Sequence, residues 1–254
     1  MKLLLLSIVV LINQSISQTN DSQRKNNHLY PSPNLEIRYQ QEWQKIPFNN
    51  RVNDFRNNPI GYNKIVFLGN SIIEAGNNWN EKFGVDNIIN RGISGDFTEG
   101  VLSRLNEIIY YKPIAVFILI GINDIFDDHA NRKDITPQYV ASNILRIANQ
   151  IKMNSNDTKI FIQTILPVDT VRFMDFHDRK LPVYKISLND QINKINLLIK
   201  DNKDHTIIDL HSLFIDEKGL MNEQFTTDGV HLNNTGYSFW VENIRKDILL
   251  CMKE

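Results

Sequence analysis

Short apolar segments alternate with amphipathic helical patterns along most of the chain, and this alternation constrains the fold more than any other feature. The segments with the length and composition of buried strands are residues 64–68, 87–89, 114–120, 158–166 and 206–210. Helical apolar spacing occupies residues 96–109, 136–153 and 184–199, and again residues 235–250 at the end of the chain. Such alternation predicts an α/β fold in which a parallel sheet carries helices on both faces.

The N-terminal residues predict export. Lys2 supplies a positive charge, residues 3–12 form a run that is apolar except for Ser7, and residues 15–17 have the small-x-small pattern of a cleavage site. We interpret residues 1–17 as a secretory signal peptide and expect a periplasmic or secreted mature protein. A membrane anchor is the alternative, but the apolar run is shorter than the ~20 residues that a spanning helix needs. We therefore expect no stable membrane insertion.

The rest of the chain predicts one main domain behind an accessory segment. Residues 18–60 combine a polar leader with a helical segment that we expect to be interrupted near Pro47, and residues 61–254 form the main domain. The chain is 42% hydrophobic and has a net charge of -1, so we expect no nucleic-acid partner. Cys251 is the single cysteine and cannot form an internal disulfide bond. The sequence does not indicate an oligomeric state.

Ligands of parallel α/β sheets bind beyond the carboxyl ends of the strands, and polar residues stand at those positions here. Ser71 follows the first predicted strand, Gly95 the second and Asn123 the third. Asp228 and His231 precede the last helix. We expect all five residues to meet at one edge of the sheet.

Three of these positions predict nucleophilic catalysis. A serine hydroxyl such as that of Ser71 becomes a nucleophile when a neighbouring base takes its proton, although a serine at this position can also be a helix cap. A carboxylate at Asp228 can orient the imidazole of His231 and stabilise the imidazolium, although Asp-x-x-His can also be a surface pair.

The other two positions predict oxyanion stabilisation. Gly95 presents a backbone N–H just before a helix for which Asp96 and Glu99 are expected to form a capping box. Asn123 carries a side-chain N–H after a strongly apolar strand, a suitable donor to a developing negative charge. A tight loop at Gly95 and a simple turn at Asn123 are the alternatives.

Taken together, the four blocks resemble the SGNH hydrolase superfamily, the GDSL-type esterases and lipases. The blocks are IVFLGNS at 65–71, NRGISGD at 90–96, GIND at 121–124 and DGVHL at 228–232. The resemblance implies a flavodoxin-like, three-layer α/β/α sandwich with a central five-stranded parallel sheet. It also implies that Ser71, Asp228 and His231 are catalytic and that Ser71, Gly95 and Asn123 form the oxyanion hole. Asn70 departs from the family pattern, which usually has Asp before the nucleophile.

The branch that the chain resembles includes platelet-activating-factor acetylhydrolase catalytic subunits and bacterial sialate- and xylan-type O-acetylesterases. This implies a serine esterase that removes short acyl groups, chiefly acetyl, from a small-molecule or glycan ester. A lipid esterase or lysophospholipase is the alternative enzyme, and an inactive carbohydrate-binding protein on the same fold is the alternative of another class. Arg172, His177 and Arg179 are candidates for substrate binding, with a solvated loop as the alternative.

We expect no cofactor and no metal, since a serine mechanism needs neither. A cluster of acidic residues and one histidine after the third predicted strand is the candidate for a metal site, and a solvated loop is its simpler interpretation. Its members are Asp124, Asp127, Asp128 and His129.

Overall fold

The structure, a computed structural model, describes residues 27–252, so the predicted signal peptide lies outside the described residues. Within this range one sheet of five parallel strands has the order β2-β1-β3-β4-β5. The strands are β1 (Ile65–Gly69), β2 (Ile88–Gly92), β3 (Ala115–Leu119), β4 (Lys159–Gln163) and β5 (Thr206–Ile208). The strand order reverses between β1 and β3, which creates a crevice at the carboxyl ends of the strands. The predicted α/β fold is confirmed.

Helices cover both faces of the sheet. They are α1 (Glu42–Asn57), α2 (Ser71–Glu74), α3 (Trp79–Phe83), α4 (Thr98–Ser103), α5 (Asn106–Tyr111), α6 (Ile122–Ile125), α7 (Pro137–Asn154), α8 (Thr170–His177), α9 (Leu188–Lys200), α10 (Leu210–Phe214) and α11 (Asn234–Cys251). None of the described helices is both long and apolar enough to cross a membrane.

Two apolar clusters lie on opposite faces of the sheet because side chains alternate along each strand. From β1, Val66 joins one cluster, which includes Ile147 of α7. Phe67 of the same strand joins the other cluster, which includes Trp240 of α11. Burial on both faces explains why β1 and β3 are continuous apolar runs rather than alternating ones.

The helix expected at residues 96–109 is two short helices, α4 and α5, and the expected capping box does not form. Arg104 leaves the helical conformation at φ -123° and turns into the core, where its guanidinium binds the Asp96 carboxylate at 2.8 Å. The N-cap of α4 is Phe97, which makes no side-chain cap bond, while Glu99 accepts the hydroxyl of Tyr139. The Asp96 carboxylate, which the expected capping box required, therefore forms a buried ion pair with Arg104 instead.

The expected interruption near Pro47 is wrong, because α1 runs unbroken through it. Proline removes one intrahelical hydrogen bond, and burial of Phe48, Val52 and Phe55 in the first apolar cluster holds the helix in place. The N-terminal segment thus shares a core with the sheet, and the domain boundary at residue 61 stays a prediction.

Candidate active site

A cleft of about 450 Å³ opens at the carboxyl edge of the sheet. The segments after β1, β2 and β3 bring Ser71, Gly95 and Asn123 to its wall, and the segment before α11 brings His231. The cleft therefore collects residues that are far apart in the chain. Only Asp228, which is 3% exposed, lies behind it.

Ser71, His231 and Asp228 form a continuous hydrogen-bonded line. The Ser71 Oγ lies 3.1 Å from His231 Nε2, and His231 Nδ1 lies 2.8 Å from Asp228 Oδ2. With a proton on Nδ1, the ring donates to the carboxylate and Nε2 can accept the serine hydroxyl. This geometry is that of a nucleophile, a base and a group that orients the base.

The carboxylate of Asp228 accepts four hydrogen bonds. Its Oδ1 accepts the backbone N–H groups of Val230 at 2.9 Å and His231 at 2.7 Å. Its Oδ2 accepts a ring N–H of His231 and is also 2.9 Å from Nε2 of His177. Burial alone would raise the pKa of Asp228, but these hydrogen bonds outweigh burial and hold the pKa well below its usual range.

Ser71 is not the N-cap of a helix, which was the alternative interpretation of its position, because Asn70 has that role. The side-chain oxygen of Asn70 accepts the backbone N–H of Ile72 at 3.1 Å, so Asn70 is the N-cap of α2 and Ser71 is its first residue. The first N–H groups of a helix have no intrahelical acceptor, which leaves that of Ser71 available to a ligand. Asparagine thus provides the same cap as an aspartate at position 70.

Gly95 and Asn123 lie beside this line. Gly95 has φ +76°, a left-handed conformation that favours glycine, and its carbonyl accepts the side chain of Gln44 at 2.8 Å. Asn123 donates one amide hydrogen to the carbonyl of Asp96 at 2.8 Å. The amide has a second hydrogen, so Asn123 can hold the loop and still donate into the cleft.

A buried ion pair fixes the loops that carry the site. Arg104 and Asp96 are both at most 5% exposed, and the guanidinium also donates to the carbonyls of Gly69 at 3.1 Å and Arg91 at 3.0 Å. One side chain therefore joins the ends of β1 and β2 to the loop after Gly95. Breaking such a pair leaves a buried charge without its partner.

Asp124 is a second buried carboxylate near the cleft. It accepts the backbone N–H and the hydroxyl of Thr98, which ties α6 to the start of α4. Burial raises the pKa of Asp124 to about 7, although the bonds from Thr98 lower it.

The three residues predicted to bind substrate are placed differently. Arg179 lines the cleft and pairs with Asp127. Arg172 donates to the carbonyl of Thr227 at 3.3 Å, and His177 contacts Asp228; neither is among the residues that line the cleft. A role of these residues in substrate binding stays a prediction.

The acidic cluster after β3 has structural roles where it is described. The two ring nitrogens of His129 lie 2.7 Å from the carbonyl of Asn123 and 2.8 Å from that of Tyr39. Asp124 faces Thr98, and Asp127 faces Arg179. Among the side chains that the structure describes, no three of His, Cys, Asp or Glu are grouped to hold a metal ion.

Sequence reasoning missed the contribution of α1 to the cleft. Trp43, which is 55% exposed, and Gln44 both line the same cleft as Ser71 and His231. The mixed polar and aromatic pattern of residues 35–55 was the only signal, and it does not say against what the segment packs.

The sequence is similar to proteins of known family. N-acylneuraminate cytidylyltransferase of Escherichia coli O18:K1:H7 is 27% identical over 80% of this chain and 46% of that protein, so the chain spans about half its length. Platelet-activating factor acetylhydrolase IB subunit alpha2 of Rattus norvegicus is 25% identical over 75% of this chain and 78% of that protein.

The fold is similar to that of solved hydrolase structures. A GDSL-like lipase from Bacteroides thetaiotaomicron superposes with a TM-score of 0.64 and 23% identity, over 80% of this chain and 97% of that one. A family model described as GDSL-like Lipase/Acylhydrolase matches residues 67–239, most of the chain. The chain therefore belongs to the GDSL-like lipase/acylhydrolase family of the SGNH hydrolase superfamily and is a carboxylic-ester hydrolase.

Proposed function

We propose that the chain is an exported serine esterase that removes short acyl groups, chiefly acetyl, from carbohydrate through an acyl-serine intermediate. The observation that carries the catalytic part is the line from Ser71 Oγ through His231 to Asp228 at the wall of an open cleft. Export rests on the pattern of residues 1–17.

In the first half of the reaction, His231 takes the hydroxyl proton of Ser71 at Nε2 while Oγ attacks the ester carbonyl. The negative charge on the carbonyl oxygen meets the backbone N–H groups of Ser71 and Gly95 and the side-chain N–H of Asn123. Asp228 stabilises the imidazolium that forms. The imidazolium then gives its proton to the alcohol oxygen as the ester C–O bond breaks.

In the second half, water takes the place of the alcohol. His231 accepts a proton from the water, whose oxygen attacks the acyl carbon and forms a second oxyanion in the same position. The imidazolium returns that proton to Oγ of Ser71 as the acyl–serine bond breaks, which releases the carboxylic acid and restores the enzyme.

The space beside the catalytic line supports a short acyl group. Ile72, Ile122 and Val230, each next to a residue of the proposed machinery, help to line a separate apolar recess of only about 10 Å³. A recess of that volume holds at most about one water-sized group. A longer acyl chain would have to lie in the open cleft, where the alcohol part also has to fit.

Two features of the cleft support a sugar as the alcohol part. Trp43 presents a half-exposed aromatic ring, and Arg179 with Asp127 presents both hydrogen-bond donors and acceptors. Aromatic faces and paired polar groups are suited to the apolar faces and hydroxyls of a sugar. One relative is named for N-acylneuraminate, an acidic sugar, and Arg179 is the cation in the cleft wall that such a sugar would meet.

A lipid esterase is the second candidate. The side chains of Ile122, Phe126, Phe173 and Val230 make part of the cleft apolar, and one relative is named for platelet-activating factor. An inactive carbohydrate-binding protein is the candidate of another class, and the intact line from Ser71 to Asp228 argues against it.

Hydrolysis of 4-nitrophenyl acetate by the parent, Ser71→Ala and Ser238→Ala tests the catalytic assignment. Ser238 is an exposed serine of α11 and makes a matched control. We expect the parent and Ser238→Ala to have equal turnover and Ser71→Ala to have almost none. Equal turnover in Ser71→Ala would refute Ser71 as the nucleophile.

Substrate class is tested with acyl chain length and with Trp43→Ala. We expect acetyl esters to be cleaved faster than octanoyl esters, and Trp43→Ala to raise KM for acetylated sialic acid or xylan but not for 4-nitrophenyl acetate. Faster cleavage of octanoyl esters would favour the lipid esterase. Glycan binding by the parent without turnover would favour the binding protein.

A further inference from the structure

A second histidine contacts the carboxylate that orients the catalytic base. His177 is the last residue of α8, and its Nε2 lies 2.9 Å from Oδ2 of Asp228. The same oxygen is 2.8 Å from Nδ1 of His231. Two imidazoles from different elements thus converge on one carboxylate oxygen, although orientation of His231 requires only one.

We propose that His177 is a positioning residue that holds the Asp228 carboxylate for His231 and moderates its hold on the imidazolium. The inference rests on the proposed function, because it concerns the same Ser71 to Asp228 line.

The bonding around Asp228 gives His177 a defined task. Oδ1 is fixed by the backbone N–H groups of Val230 and His231, which leaves Oδ2 to face the two rings. An N–H donor at Nε2 of His177 gives Oδ2 a second hydrogen bond, from a helix outside the segment that carries Asp228 and His231. Because that donor takes part of the charge density of Oδ2, less remains to stabilise the His231 imidazolium.

The surroundings of His177 fit a structural contact rather than a substrate contact. The ring packs on Phe173 with 4.4 Å between centroids and on Phe176 with 5.0 Å, while 36% of the side chain is exposed to solvent. His177 is not among the residues that line the cleft, whereas Phe173 is. Aromatic packing therefore sets the ring so that Nε2 meets Asp228.

Asp175 and Asp178 flank His177 along the chain, and both are exposed to solvent. Arg172 of α8 donates to the Thr227 carbonyl and pairs with Glu223, and Arg179, just after α8, pairs with Asp127. The other ring nitrogen of His231, Nε2, is within hydrogen-bond distance of the neutral hydroxyl of Ser71. Within residues 27–252, the hydrogen bonds and ion pairs to the Asp228 side chain come only from Val230, His231 and His177.

The test compares three substitutions at one position. His177→Leu removes the donor, His177→Asn is polar but too short for its amide to reach Oδ2, and His177→Gln can place an amide N–H where Nε2 was. The matched control is His205→Leu, since His205 lies before β5 and contacts Asn149. Thermal unfolding of each variant reports whether it folds.

We expect His177→Leu and His177→Asn to lose about tenfold in kcat for 4-nitrophenyl acetate with KM unchanged, because an Oδ2 that His177 no longer shares draws the His231 ring toward itself and moves Nε2 away from Oγ of Ser71. Their acid limb in the pH–rate profile moves to higher pH by roughly half a unit, because Asp228 then holds the protonated base more strongly. We expect His177→Gln and His205→Leu to keep the parental kcat and the parental position of the acid limb in the pH–rate profile.

A spectroscopic readout needs no turnover. In proton NMR spectra, an imidazole N–H that is hydrogen-bonded to a carboxylate has a resonance far downfield. We expect the resonance of the Nδ1 proton of His231 to move further downfield in His177→Leu, because its hydrogen bond to Oδ2 of Asp228 becomes stronger.

Parental kcat, limb and resonance in His177→Leu would overturn the proposal. A change in KM alone would also overturn it and make His177 a substrate contact, and so would a loss in His177→Gln equal to that in His177→Leu. Failure of the proposed function looks different: the parent itself then lacks turnover that depends on Ser71.

Discussion

The most demanding prediction concerns Asp228→Asn, which replaces one carboxylate oxygen by an amide group at nearly the same volume. The carboxylate accepts two backbone N–H groups at Oδ1 and faces two ring nitrogens at Oδ2. An amide has one oxygen, so it can satisfy only one of these pairs. If the amide oxygen keeps the hydrogen bonds from the two backbone N–H groups, the NH2 group faces the Nδ1–H of His231 and the Nε2–H of His177.

Two donors facing each other at a buried position cost about 1–3 kcal/mol for each unsatisfied group. The rings avoid this cost by changing tautomer, which moves the His231 proton from Nδ1 to Nε2. A protonated Nε2 cannot accept the hydroxyl proton of Ser71. We therefore expect kcat to fall by about 10³–10⁴ while the free energy of unfolding falls by only about 1–3 kcal/mol.

The assay is kcat for 4-nitrophenyl acetate together with urea unfolding at neutral pH. Asp209→Asn is the matched control, because Asp209 also accepts several hydrogen bonds, from Thr164, Ser212 and Lys200, but accepts none from a histidine ring in the described part of the chain. We expect it to lose stability and keep its kcat. A kcat of Asp228→Asn within tenfold of the parent would refute the tautomer argument.

Two further predictions concern the loops around the cleft. The pKa of Asp124 is about 7 in the folded chain against about 3.9 when unfolded, so the folded state binds the proton more tightly and the free energy of unfolding falls as pH rises from about 4 to 7. Asp124→Asn should remove most of this decrease in the free energy of unfolding, which amounts to at most ~4 kcal/mol. The measurement is urea unfolding between pH 4 and 8, and the same dependence of the free energy of unfolding on pH in variant and parent would contradict the prediction. Gly95→Ala forces a side chain into φ +76° with Cβ 2.7 Å from the ring of Trp43, and should lower kcat by about 10² and the free energy of unfolding by about 1–2 kcal/mol. Gly61→Ala, at φ +73° in open space, should show the loss of stability alone.

Most of the fold and the composition of the candidate site could be read from local sequence. Ser71 and Asn123 follow apolar runs, and the carboxyl ends of parallel strands meet at one edge, so their proximity follows from the strand positions. The structure brings Ser71 within 3.1 Å of His231 although 160 positions separate them. The catalytic roles that the family resemblance implies for these residues stay predictions until variants are measured.

Other features depend on contacts that no local pattern encodes. Residues 96–109 have helical spacing throughout, yet the buried pair of Arg104 with Asp96 divides them into α4 and α5. Pro47 is a local signal for a helix break, but burial of the apolar face of α1 outweighs it. In both cases a tertiary interaction is stronger than the local preference.

The sequence by itself determined the strand and helix alternation, the family and the residues that carry the candidate chemistry, because apolar periodicity and strand-end motifs are local properties of the chain. Only the tertiary structure decided that Trp43 and Gln44 of α1 line the cleft and that His177 and His231 both contact the carboxylate of Asp228. Those contacts depend on how separate helices pack around the sheet. That packing is set by the sum of many long-range interactions rather than by any single stretch of residues.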